Sequence, residues 1–510
     1  LFTPNPARSP QTTPRAERVE LPQVEQALAE LQTLLATRHA YSVIAPVPQS
    51  HFDKALAHAR TLATKAAPDA DTPPSITFDE LGEVLALALA GSIDGHGSVG
   101  AGRFPRSRPA LPVLLQPWED AQHEGPTRVL ALRADRSPLS ADHPSHTQLL
   151  AIDGIPTQDW LQAASRFVPS GTRALRDRWS LGLLSSLPIA RRWLDVPPPH
   201  DLPAMLTLGD PLDPSTKPAH IEIALRNVPD EPVPFPQTSS GMLDGAIAYL
   251  RLPSMIGDVP GLREVRRTLD GFANPSQPGG PARALIIDLR GNGGGARDLI
   301  PLLADALLPA GHPPIVFTAS RVLVLPNETE LQRKERTENR DIYLRSDVRL
   351  SPAQRDAIDG FLASYTPQVT VPDDRFAPLY FGLLTPAGEG RGPVISGPIV
   401  ALMDGGCFSA ADVCLAALAE FPSVTLMGQP SAGGSGYAES MSLFQGKAWA
   451  RLSTMATFRK DGSLFDGKGI TPDVLVPAAP TDFVKGGTDS VLEFAKAYLR
   501  NKLDEAKERP

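Results

Sequence analysis

The sequence predicts a multidomain α/β protein with a helical N-terminal region, a β-rich middle region and a C-terminal α/β core. Three observations predict it. Apolar residues recur at helical spacing up to about residue 90, and short β-like runs broken by Pro, Gly and Asp occupy about 111–225. Beyond residue 245, a buried strand empties into a glycine turn and then a helix, and this happens twice. A chain of 510 residues is also too long for one hydrophobic core. Its 42% hydrophobic and 21% charged content is ordinary for a soluble globular protein. The net charge of −8, with no long basic block, argues against nucleic acid or an anionic membrane surface as the main partner. No apolar stretch reaches the length of a membrane span.

Residues 1–20, opening LFTPNPARSPQTTPRAE, lack periodicity and read as a flexible lead-in. It is either the stub behind a removed signal peptide or a polar tail of a cytoplasmic protein. The first reading places the protein in the cell envelope, such as the bacterial periplasm, or outside the cell. The region 21–104 is helical. One helix runs from about Leu21 to Thr37, with Val24, Ala27, Leu28, Leu31, Leu34 and Leu35 on its apolar face, and a second from Phe52 to Ala66. A third spans about Glu80 to Ala90, opened by Thr77 or Asp79. The region ends in the glycine-flanked turn Ile93-Asp94-Gly95-His96-Gly97-Ser98.

The region 105–240 carries the runs LPVLLQ, RVLALRA, QLLAIDGIPTQDWLQAA and HIEIAL. Leu149–Pro156 reads as a strand, a tight turn and a short strand before a helix. It is either a plain hairpin or the second half of a peptide-binding module. The α/β core, 241–510, begins with the strand after Gly245 and a helix near Val259–Phe272. Next come the strand ALIID (Ala284–Asp288), the glycine turn through Gly293–Gly295, and a helix with Leu299, Ile300, Leu303 and Leu307. A charged, Pro-containing insertion at about 310–393 separates these from a second buried strand, Gly397–Asp404. That strand turns at Gly405-Gly406-Cys407-Phe408-Ser409 into a helix from Ala410 to Ala419.

A glycine turn between a strand and a helix presents free amide N–H groups to negative charge, either a phosphate or a transient oxyanion. No phosphate-binding lysine follows either turn, which favours the oxyanion. Ser409 reads either as an N-cap or as a nucleophile on a strained strand-to-helix elbow. In the second case the N–H groups of Ala410 and of the Gly293–Gly295 turn would form an oxyanion hole. A serine nucleophile needs a base, and His96, in its tight loop, is the candidate; alone, such a histidine is more often a solvent-facing loop residue, and only another feature of the chain selects it. Cys407 and Cys414 show no zinc-site spacing and read as buried free thiols or as a short disulfide.

The segments IIDLRGNGGG, MDGGCFSAAD, LMGQPSAGGSGY and LFDGKGITPDV, in that order between about Asp288 and Asp473, resemble the C-terminal processing peptidases. That family of serine peptidases includes the tail-specific proteases and the tricorn core. Upstream, RHAYSVIAP, IDGHGSVG, LLAIDGIPTQDWL and AYLRLPS resemble its helical region, histidine turn, PDZ domain and core-opening strand. The resemblance implies a crotonase-like ββα spiral as catalytic core, with a PDZ-like module at 105–240. It implies Ser409 as nucleophile and the N–H groups of Gly295 and Ala410 as oxyanion donors.

Members that use a lysine base carry it where this chain has Gly434, and Lys447, Lys460 and Lys468 do not match that position. The resemblance therefore points to the histidine-using branch, with His96 as base. Asp466 stands where that branch has a glutamate, and Ser98 is a second candidate for assisting the ring. The implied activity is hydrolysis of polypeptide substrates through an acyl-enzyme, with no metal or organic cofactor. Self-association or the PDZ-like module would gate a site whose members lie this far apart in sequence. Two alternatives are an inactive peptide- or hydrophobic-ligand-binding protein on the same scaffold and a crotonase-like acyl-CoA enzyme. Against the first stand the retained Ser409, His96 and glycine turn, and against the second the motif order and helical N-terminal region.

Overall fold

Continuous apolar, β-branched runs suit strands covered on both faces, and the core sheet is built from such runs. The computed structural model describes residues 18–66, 73–102, 107–118, 125–169, 171–194, 202–229, 238–244, 246–276, 280–386 and 394–508. Most of the expected lead-in lies outside them, and its last residues, Arg18–Glu20, form a strand paired with Ser75–Thr77. Ala284–Asp288 and Ile399–Met403 are buried at every position and run parallel side by side. The sheet order is Ser239–Met242, Ile247–Arg251, Ala284–Asp288, Ile399–Met403, Val424–Gly428 and Val474–Leu475, and only the first strand is antiparallel.

Parallel neighbours need crossover connections, which the helices Val259–Phe272, Leu299–Leu307 and Ala410–Leu418 supply. They cover one face of the sheet through Leu285, Ile287, Leu303, Met403 and Val413. The C-terminal helix Ser490–Glu508 covers the other through Val491, Ala495 and Leu499. Because the two central strands are parallel neighbours, both glycine turns emerge at the same edge, where the carboxyl ends of strands meet helix N-termini.

The segment 310–393 is weakly patterned in sequence, yet three of its stretches are strands. Ile342–Leu344, Tyr380–Leu384 and Ile315–Val322 join Met455–Arg459 in an antiparallel sheet. The edge partner Met455–Arg459 lies far downstream, so local periodicity does not reveal this sheet.

In the middle region, Leu114–Trp118, Arg128–Leu132, Gln148–Ile152, Ala204–Gly209 and Ala219–Ile223 form an antiparallel sheet. The expected hairpin to Ile155–Pro156 is present, and the helix Thr157–Ser165 packs Trp160 and Ala164 onto that sheet. Two helices there, Arg173–Leu184 and Leu187–Trp193, have no counterpart in the sequence reading. Their arginines dilute the apolar pattern.

The N-terminal helices are Leu21–Arg38, Gln49–Ala66 and Phe78–Leu89, the last opened by a capping box of Thr77 and Glu80. The strand Ser98–Ala101 then pairs with Ala448–Ser453 of the core, Val99 opposite Ala450. Backbone hydrogen bonds therefore weld the histidine turn to the C-terminal half. Both cysteines are buried free thiols, and Cys407 Sγ donates to the Leu289 carbonyl at 3.0 Å.

Beneath the first glycine turn, buried Asp288 receives Tyr249 Oη at 2.8 Å, Arg251 Nη1 at 2.9 Å and Arg290 Nη2 at 2.7 Å. Arg290 also bridges to Asp489, just before the C-terminal helix. Burial would raise the Asp288 carboxyl, but the guanidinium groups of Arg290 and Arg251 hold it below its ordinary value. Asp288→Ala leaves Arg251 without its carboxylate and Arg290 with one of two. The expected loss is about 3 kcal/mol, toward the low end for breaking a buried pair, visible as a lower urea midpoint. An unchanged midpoint would refute the assigned role.

Candidate active site

The second glycine turn is shaped by Asp404, whose Oδ1 accepts the N–H of Gly406 and that of Gly291, each at 2.8 Å. One carboxylate oxygen thus ties the two glycine turns together. Phe408 N–H adds a bond to the Asn292 carbonyl at 3.0 Å. Ser409 follows with φ 61° and ψ −122°, a backbone conformation that L-residues rarely hold without compensation from their surroundings. It occupies the N-cap position of the helix Ala410–Leu418, but its side chain caps nothing. Its Oγ lies instead 2.9 Å from His96 Nε2.

The glycines beside Ser409 are required by space and by dihedral. A Cβ on Gly294 would meet Ser409 Cβ at 2.7 Å and the Phe408 carbonyl at 2.8 Å. Gly295, at φ 142°, would put a Cβ 2.2 Å from the Met255 carbonyl. Gly295 forms a parallel bridge with Met255, through Met255 N–H to Gly294 O at 3.0 Å and Ala296 N–H to Met255 O at 3.1 Å. In such a bridge the flanking residues make the bonds and the middle N–H points the other way. The Gly294 N–H is engaged by Asn292 Oδ1 at 2.9 Å. Ala410, first in its helix, has an N–H outside the intrahelical ladder. Among the described residues neither the Gly295 N–H nor the Ala410 N–H has a hydrogen-bond partner, and a Cβ on Gly294 would lie 3.1 Å from Ala410 N and 2.7 Å from Ser409 Cβ.

His96 is held by its own backbone and by a tilted ring contact. Its N–H donates to Asp94 Oδ1 at 2.9 Å, and its ring lies 4.5 Å from the Phe408 ring, centroid to centroid. Asp94 is fully buried, with Ser453 N–H at 3.0 Å, Ser453 Oγ at 2.9 Å and His39 Nε2 at 2.9 Å around its carboxylate. Asp466 is buried nearby, where its Oδ2 accepts from Tyr41 Oη, from Ser435 N–H at 3.1 Å and from Ser435 Oγ at 3.3 Å.

His96 Nδ1 lies 3.8 Å from Asp94 Oδ1, and neither Nδ1 nor Asp466 Oδ1 has a hydrogen-bond partner among the described residues. Asp94, His96 and Asp466 each place one donor atom within 4.8 Å of the others. Three such atoms resemble a metal-ligand set, and the other nitrogen of the ring, Nε2, faces Ser409. The structure thus brings Ser409, His96, Gly295, Ala410 and Asp466 into one neighbourhood, with Asp466 beside the imidazole rather than bonded to it. Ser98 sits in the strand paired with Arg451, and no hydrogen bond joins it to His96 among the described residues.

Electrostatics favour a neutral imidazole. Burial lowers the His96 value to about 4, helped by the positive charges of Arg451, Arg340 and Arg297, while Asp94 opposes the shift. Burial would raise Asp94, but the hydrogen bond and charge of His39 and the charge of His96 hold it at about 2. Burial, then the Asp94 charge, pushes Asp466 up to about 7. Asp412, in the first turn of the helix, accepts Ser431 Oγ and the N–H groups of Gly433 and Gly434, each of the latter at 3.2 Å. It thereby anchors the loop that lies against the site.

A Cβ on Gly434 would meet the Phe408 ring at 2.2 Å, because that ring fills the space between this loop and His96. Lys460 pairs with Glu420 and Lys468 with Gln368, both on the exposed surface. Asp94, Tyr41, Ser435 and Ser453 have no assigned role in the sequence reading. Asp94 carried a signal, two residues before His96 in the same turn; the others meet the site only through folding.

Residues 246–476 match Peptidase family S41. No curated protein matches the chain. Among solved structures, mature CPAF complexed with lactacystin aligns over 94% of this chain and 97% of its own, at 18% identity and a TM-score of 0.60. Mature CPAF aligns over 94% of this chain and 96% of its own, at 18% identity and a TM-score of 0.57. The photosystem II D1 C-terminal processing protease aligns over 89% of this chain and 93% of its own, at 14% identity and a TM-score of 0.40. At these identities the likeness to CPAF is one of fold, and it extends along nearly the whole chain.

The burial argument sets the protonation of His96. An NMR titration of the His96 ring is expected to show it neutral at pH 7, with a midpoint well below the ~6.5 of a free imidazole. Because the Asp94 carboxylate raises that value, Asp94→Asn should move the midpoint lower still. A midpoint at or above 6.5, or an upward move in the variant, would contradict the electrostatic account.

Proposed function

We propose that this chain, in which residues 246–476 match Peptidase family S41, is a serine peptidase that cleaves polypeptide substrates through an acyl-enzyme. The observation that carries the reading is Ser409, held at φ 61° at the head of a helix it does not cap, with its Oγ 2.9 Å from His96 Nε2. Neutral His96 takes the Oγ proton at Nε2 as Ser409 attacks the scissile carbonyl carbon, and then returns it to the departing amine. Water, activated by the same nitrogen, attacks the acyl-enzyme and releases the second product.

The oxyanion of each tetrahedral intermediate is received by the Gly295 and Ala410 N–H groups, donors that need no reorganisation at the moment of reaction. Asp466, whose carboxylate lies within 4.8 Å of a ring nitrogen, stabilises the imidazolium, and Asp94 fixes the turn that carries it. On this reading the core sheet with its crossover helices is a crotonase-like ββα spiral. The antiparallel sheet of the middle region, with its hairpin and the helix Thr157–Ser165, is a PDZ-like module.

A fluorophosphonate probe tests the nucleophile without knowledge of the substrate. The wild type is expected to be labelled at Ser409, and Ser409→Ala not at all. His96→Ala should slow labelling by about 10³-fold, and Asp466→Asn by on the order of 10²-fold, as expected for loss of support to a general base. Labelling at another residue, or at an unchanged rate in His96→Ala, would remove the mechanism. Full activity in Asp466→Asn would remove only that residue.

A further inference from the structure

Between the start of the helix Leu299–Leu307 and the second sheet lies a cavity of about 210 Å³. Its walls include Ile300, Phe317 and Ile342, and two guanidinium groups, those of Arg297 and Arg340, line it. Arg297 is only 6% exposed. Its one hydrogen bond among the described residues is to a neutral acceptor, the Ser435 carbonyl, at 3.3 Å. Arg340 lies over the Tyr437 ring, 3.7 Å from its centroid.

Neither arginine forms an ion pair among the described residues. Asp341 also lines the cavity, without reaching ion-pair distance of either, and Glu439, whose charge reaches Arg340, lies 3.7 Å from Arg336. With Glu439 shared with Arg336, two guanidinium groups line the cavity against a single lining carboxylate, Asp341, and positive charge against apolar walls is costly unless an anion completes it. Burial and the Arg340 charge pull Arg297 down to about 10, the direction expected for a cation lacking its partner.

The position of this charge connects it to the reacting centre. Arg297 follows Gly295 by two residues, and the Ser435 it bonds through the carbonyl uses its N–H and Oγ to hold Asp466. We propose that the cavity is a specificity subsite for a carboxylate-bearing residue of the substrate, its anion held between Arg297 and Arg340 and its carbon stem packed on Ile300, Phe317 and Ile342. The carboxylate is that of an acidic side chain within the polypeptide. The subsite rests on the peptidase reading for its use in cleavage, while the binding itself is separately measurable.

Fluorescent octapeptides with Glu or Gln scanned through each position, with free and amidated C-termini, are titrated into the Ser409→Ala protein by anisotropy. At least one Glu peptide is expected to bind about 10-fold or more tighter than its Gln partner. If amidation leaves that preference intact, an acidic side chain is the ligand. If amidation weakens binding about 10-fold or more with no Glu preference, the cavity reads the chain end and the acidic-side-chain subsite is overturned. Arg340→Gln, on a half-buried side chain, should reduce the preference to within about two-fold. Absence of the Glu preference in the Ser409→Ala protein, or its survival in Arg340→Gln, overturns the subsite. Carboxylate preference with no cleavage of any peptide by the wild type would overturn the peptidase reading and leave the subsite standing.

Discussion

A buried carboxylate, Asp94, joins three stretches of chain that are distant in sequence. It takes the His96 N–H, faces His39 Nε2, and receives both the N–H and the Oγ of Ser453. An ionised group in such a place is stable only with every lone pair engaged, so removing any partner exposes a large desolvation cost. The same stretch continues directly into the strand Ser98–Ala101, whose pairing with Ala448–Ser453 is the second tie between the N-terminal region and the core. The position of the His96 imidazole follows from these two attachments. So does the 2.9 Å approach of its Nε2 to Ser409.

The core supplies the other half of the geometry by backbone means. Two parallel strands end at one edge, and Asp404 Oδ1 clamps the turns that follow them through Gly291 and Gly406 N–H. Close approach of the Gly294–Gly295 backbone to Ser409 and Met255 leaves no volume for side chains, so amide groups rather than side chains face the serine. Phe408 sets the remaining boundary, since its ring packs against His96, tilted by 32°, and would meet a Cβ at 434 at 2.2 Å. One ring thus packs against the histidine and crowds position 434.

Strands that are continuous apolar runs, such as ALIID and IVALM, were legible because burial on both faces dictates composition directly. The helix Val259–Phe272 was legible for a different reason, a strong apolar periodicity bounded by Asp258 as its cap. The sheet formed by 315–322, 342–344, 380–384 and 455–459 was not, because its register is set by a partner far along the chain. The helices Arg173–Leu184 and Leu187–Trp193 were hidden by arginines that break the apolar pattern. Of the site, Ser409 and the glycines stood out through their elbow and turn stereochemistry, and His96 through its flanking glycines. Asp94 was visible as a neighbour in sequence, but its role was not. Tyr41, Ser435 and Ser453 acquire their roles only from contacts.

By itself the sequence determined the two strand–glycine–helix units and the residue types at their ends, because φ/ψ restrictions and burial patterns act over a few residues. Only the tertiary structure decided which carboxylate lies where around the imidazole. Asp94 sits beneath His96 with its hydrogen bonds satisfied, while Asp466, held by Tyr41 and Ser435, faces the ring with one oxygen unengaged among the described residues. It alone brought Arg297 and Arg340 to one apolar-walled cavity. Charge compensation in a protein interior is a property of distances between remote segments, and no local pattern of residues encodes it.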